Sequence, residues 1–113
     1  MFFQRVQRSS YAPERIKQVM RGDTQRLPDG PEHLRIQMAV GRLSSMIERD
    51  RMRREFAGLE RYMDRLPRIL YLYSRGYSVN DIADHLPGLP THFGVERTID
   101  IAAHLVAEEL ASR

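Results

Sequence analysis

Two neighbouring side chains in this 113-residue chain, Arg97 and Thr98, have the chemistry of base readers. A guanidinium offers forked donors that match the O6 and N7 acceptors of guanine, and a hydroxyl both donates and accepts. His92 stands one to two helical turns before them. The densest cationic cluster is Arg49, Arg51, Arg53 and Arg54. On a helix, 49 and 53 share one face while 50 and 54 share the next. Such a patch suits phosphate contacts. With Glu48, Asp50 and Glu55 interleaved, a solvated ion-paired face is an equal reading. Arg5 and Arg8 add charge at the other end of the sequence.

Other chemistries find little support. There is no cysteine, which removes thiolate metal sites, iron–sulfur clusters and thiol nucleophiles. His33, His85, His92 and His104 never pair at the i, i+4 spacing that puts two imidazoles on one helix face, so no metal site is expected. No serine sits in a nucleophile elbow and no glycine-rich loop could cradle phosphates. Neither an enzyme nor a cofactor is expected. Tyr71, Tyr73 and Tyr77 could stack on single-stranded bases, but half-buried tyrosines with a solvated hydroxyl are the simpler reading. No apolar run approaches the roughly 20 residues of a membrane span. Residues 1–11 lack the apolar stretch of a signal peptide, so a cytoplasmic location is expected.

Charge is unevenly distributed. Residues 1–56 hold 12 basic and 7 acidic side chains, whereas residues 57–113 hold 6 and 8; Lys17 is the one lysine among the basic residues. An acidic partner, nucleic acid above all, should be drawn to the first half.

The elements that must position these residues read as helices throughout. Residues 1–30 form a basic N-terminal arm carrying Arg5, Arg8, Arg15, Lys17 and Arg21, with Phe2 and Phe3 as anchors. Within it, residues 13–21 suit a short helix: Pro13 fits the first position, Ile16, Val19 and Met20 share a side, and Gly22 ends it. Residues 24–31 read as a turn. Residues 31–66 form a long helical segment in which Ile36, Val40, Leu43 and Ile47 step by four, three and four. That seam is the kind that packs against a partner helix, and a homodimer through it is expected. The seam restarts out of phase as Phe56, Leu59, Met63, Leu66 and Leu70, so a bend or break falls near residues 49–54.

Residues 67–113 hold the clearest local signals. Pro67 marks a helix start, Gly76 suits a left-handed helix end, and Ser78 is a preferred N-cap with Asp81 three residues on. Two short helices, 68–75 and 78–85, follow from these signals. Residues 87–90 stop the second, and a last helix from Val95 to about 111 turns Val95, Ile99, Ala102, Ala103, Val106 and Leu110 inward.

The segment 69–86 resembles the helix-turn-helix of LuxR-type regulators and of sigma factor region four. The residues that carry the likeness are Ile69, Leu70, Leu72, Gly76, Ser78, Asp81-Ile82-Ala83 and Leu86. Val95-Glu96-Arg97-Thr98-Ile99 is similar to the start of that family's recognition helix. Residues 87–94 make a longer connection than the family's, and Glu96, Asp100, Glu108 and Glu109 make the last helix acidic. The resemblance implies an all-α protein, a helical bundle with a C-terminal helix-turn-helix, acting as a small bacterial or phage-style transcription regulator on double-stranded DNA. Arg97 and Thr98 would be the main readers, His92 an accessory one, and Arg5, Arg8, Arg51, Arg53 and Arg54 the phosphate contacts. The alternative is an interaction module whose acidic last helix binds RNA polymerase or another regulator.

Overall fold

The computed structural model describes residues 12–21, 30–89 and 91–111, without the side chains of residues 30–33 and 44. Phe2, Phe3, Arg5, Arg8, Gly22, the turn expected at residues 24–29, Pro90, Arg113 and the side chain of His33 lie outside the described residues. The helices are α1 (Pro13–Met20), α2 (Gly30–Gly41), α3 (Leu43–Met46), α4 (Arg49–Glu55), α5 (Glu60–Asp64), α6 (Leu66–Ser74), α7 (Val79–His85) and α8 (His92–Ala111). No strand occurs among the described residues, and the protein is all-α as expected. None of the described helices is long and apolar enough to cross a membrane.

The organising element is α8. Its 20 residues lack proline and include Ala102, Ala103, Ala107 and Ala111, the best helix formers. It extends for about 30 Å. Gly94, Val95, Thr98, Ile99, Ile101, Ala102, Ala103, Leu105, Val106, Ala107 and Leu110 are all buried. A helix this apolar around its circumference belongs inside a core. Here α1, α2, α3, α5, α6 and α7 all pack on it.

Two expectations about the first half are corrected. Helix α1 forms where expected, but this part of the expected arm belongs to the core: Ile16, Val19 and Met20 are buried, and its most extensive packing is against α8. Residues 31–66 break, as the slip in the seam implies, but not within 49–54, which lie in α4. Arg42 leaves helical geometry at φ −109° and ψ 12°, Ile47 is extended at φ −99° and ψ 132°, and Gly58 turns the chain between α4 and α5 with φ +82°.

The proposed dimer seam is corrected with them. Ile36, Leu43 and Ile47 are buried within the chain itself, and Val40 is half-buried against the same core. A four-three-four step marks one apolar face on a helix, whatever that face packs on. In this fold α8 and its neighbours cover Ile36, Leu43 and Ile47.

Candidate nucleic-acid interface

The unit from α6 to α7 forms as the local signals require. The N–H of Gly76 donates to the carbonyl of Tyr73 at 3.0 Å and that of Tyr77 to Leu72 at 3.2 Å, with Gly76 at φ +93°. These two bonds are the Schellman closure that satisfies the last carbonyls of a helix, and they need a residue that tolerates positive φ. After the turn, Ser78 Oγ accepts from the Asp81 N–H at 3.1 Å and starts α7. Ile82 and Leu86 then bury completely or nearly so, fixing α7 against α8. Tyr77 and His85 meet edge to face at 5.0 Å across the turn.

The start of α8 is held by a second set of contacts that no motif announced. Thr91 caps the helix, its Oγ1 accepting from the Gly94 N–H at 3.2 Å. The Tyr62 hydroxyl accepts from the Thr91 N–H at 3.2 Å and donates to the Thr91 carbonyl at 3.3 Å. The Arg61 guanidinium reaches the Gly88 carbonyl in the same connection. Helix α5 therefore braces the chain between α7 and α8, and α8 begins at His92, three residues before the apolar pattern suggested. The one sequence cue was Thr91 itself, a favoured N-cap three residues before Gly94.

Of the expected base readers, Arg97 and His92 are exposed at this end of α8. Thr98 is not available: it is fully buried, and its Oγ1 has no hydrogen-bond partner among the described residues. The reason is periodicity, since Thr98 follows Val95 by three residues and precedes Ala102 by four, which puts it on the inward face. Phe93, overlooked in the sequence, is 66% exposed one turn before Arg97 on the same face. The free surface of the first two turns thus presents His92, Phe93, Glu96 and Arg97.

Further along, the helix is covered. Lys17 of α1 pairs with Asp100, and Arg51 of α4 pairs with Glu108. Burial lowers the Lys17 pKa, but the hydrogen bond and charge of Asp100 outweigh it, so the net shift is upward from 10.5. Arg51 is therefore an internal partner of α8, which corrects its assignment as a free phosphate contact. Arg53 and Arg54 are exposed on α4. They share α4 with Arg51, whose partner Glu108 lies eleven residues and roughly 16 Å along the axis of α8 from Arg97. His85 and His104 each place Nδ1 on the carbonyl four residues earlier in their own helix. Tyr73 is buried beneath the Arg21 guanidinium, Tyr77 half-buried, and Tyr71 exposed.

Comparison with protein-family models, curated proteins and solved structures gives no match.

Proposed function

We propose that this protein is a small DNA-binding regulator of transcription that presents the first two turns of α8 to a DNA groove. The observation that carries the reading is the combination of a capped helix–turn–helix, α6 to α7, with a following helix whose exposed N-terminal end carries Arg97 and His92. In helix-turn-helix proteins the N-terminal residues of the recognition helix contact base edges while the helix before it crosses the backbone; here α8 would be the recognition helix and α7 the one before it. Arg97 would donate to guanine O6 and N7, and Phe93 would offer apolar contact to a thymine methyl. Exposed Arg53 and Arg54, with Arg5 and Arg8 from the basic first residues, would neutralise phosphates. Their share of affinity is independent of sequence and falls with salt.

Two ion pairs within the chain lend the alternative less support. An acidic last helix docking on a basic partner would use Asp100 and Glu108, and both already face cations of this chain.

The experiment is fluorescence anisotropy of a labelled mixed-sequence duplex titrated with the protein at low and moderate salt. Binding that weakens steeply with salt supports the reading, and the slope estimates the number of phosphate contacts. No binding at low salt would leave the three-helix unit as a scaffold only.

A further inference from the structure

On the side of the molecule where α1, α2, α3 and α6 meet lies an apolar groove of about 690 Å³. Val40 and Leu43 form one wall, Leu66, Pro67 and Leu70 the other, and Val19 with Met20 lies at its base. One lining residue, Tyr71, is left 52% exposed, and α2, which supplies Gln37, Val40 and Gly41 to the groove, also leaves Leu34 and Met38 exposed, at 56% and 49%. Of the four large apolar side chains left exposed among the described residues, three lie on the two helices that wall the groove and the fourth is Phe93 on α8; exposed apolar surface of this kind marks an interaction site.

Charge decides what the groove would accept. Residues 34–46 and 66–75, which build both walls, contain no aspartate or glutamate and carry Arg35, Arg42, Arg68 and Arg75. Arg75 lines the groove, and the Arg68 guanidinium sits 5.6 Å over the Tyr71 ring. A second copy docking by two-fold symmetry would bring these arginines face to face, because an isologous contact presents the same patch from both sides. Residues 1–11 of this chain hold Arg5 and Arg8 and no acid, so they repel the same rim. We infer that the groove is a docking site for an amphipathic helix of another protein, with an apolar face flanked by aspartate or glutamate. Helix-in-groove recognition sets i, i+3, i+4 and i+7 anchors into such a surface. Acidic flanks would meet the arginine rim and accelerate encounter. None of its lining residues belongs to α8, so it stands or falls independently of base reading by the tip of that helix.

The test uses the full-length protein, labelled with nitrogen-15, and two synthetic 16-residue helical peptides. Both carry leucines at i, i+3, i+4 and i+7; one has glutamate flanks and the other lysine flanks. The expected result is amide shift changes centred on Val40, Gly41, Leu70, Tyr71 and Arg75, with the glutamate peptide binding at least tenfold more tightly. Tyr71→Asp should remove that binding with no change in the thermal melt, since the side chain is exposed. Equal affinity for both peptides, or shifts elsewhere, overturns the inference. So does a groove freed only by deletion of residues 1–11, which makes that segment the occupant. A concentration-dependent mass abolished by Met38→Glu would assign the groove to a second copy and overturn it as well. Shifts at these amides on adding a duplex in place of peptide would make the surface a phosphate contact, with the same consequence.

Discussion

The Tyr62 ring occupies the space that a side chain at Gly94 would need: a Cβ built on Gly94 overlaps Cζ, Cε2 and the hydroxyl of that ring. The phenol cannot swing aside freely, because it is 96% removed from solvent and tied at both ends of the Thr91 peptide unit. The close approach of α5 and α8 therefore sets where the exposed tip of α8 emerges. It is the one glycine of α8, and proximity rather than backbone conformation requires it.

Gly94→Ala should lower stability by about 1–3 kcal/mol, the range for overpacking a filled site, despite alanine's better helix propensity. A double-mutant cycle with Tyr62→Leu is the check. The alanine should cost less once the ring is gone, giving a coupling above about 0.5 kcal/mol in denaturant melts. Additive effects would show that the two residues do not share this space.

Thr98→Val should be neutral or stabilising by about 1 kcal/mol, because it replaces a buried, unpartnered hydroxyl with a methyl of the same shape. Its duplex affinity should equal that of the unaltered protein. Lost affinity with an unchanged melt would return Thr98 to the reading surface.

Arg97→Ala is the opposite case. The side chain is exposed on α8, so the melt should hold within about 0.5 kcal/mol. Affinity for a selected duplex should fall by about 1–3 kcal/mol, and preference at one base pair should relax. An Arg97 variant that keeps its sequence preference would remove the residue from the reader role. Phe93→Ala, compared on duplexes with thymine or uracil at each position, would then show whether the overlooked aromatic reads a methyl.

How far the sequence foretold this arrangement varies by element. The α6–α7 unit was legible because Gly76 and Ser78 act through their own backbone: one tolerates positive φ, the other caps an N–H three residues on. Such signals are local and survive any packing. The placement of Thr98 was legible too, in the Val95, Thr98, Ala102 spacing, but the adjacent Arg97 drew both residues into one functional reading. The cover over Ile36, Leu43 and Ile47 was not legible. An apolar stripe states that it will be buried, not whether the covering helix belongs to the same chain. The Tyr62–Thr91 brace, across 29 residues of sequence, leaves no pattern at all.

The burial of that stripe makes its own prediction. Leu43→Ala should cost about 2–5 kcal/mol, the usual range for truncating a fully buried leucine. The molar mass by light scattering should be the same before and after the change. A dimer that becomes a well-folded monomer would instead place Leu43 in an interface between copies.

The pairing of Lys17 with Asp100 fastens α1 to α8, and its pH dependence follows from the direction of the Lys17 shift. A lysine whose folded pKa stands above the unfolded 10.5 stabilises the fold fully at any pH below 10.5 and loses that contribution as pH rises through the folded value. Stability from this pair should therefore be flat across the neutral range and decline only in strong alkali. Lys17→Met, which keeps the aliphatic packing, should lower the thermal midpoint at pH 7 and at pH 9 by the same amount, and the two proteins should converge above pH 10.5. A gap that closes between pH 7 and 9 would mean that some other group, not the Lys17 ammonium, holds α1 in place.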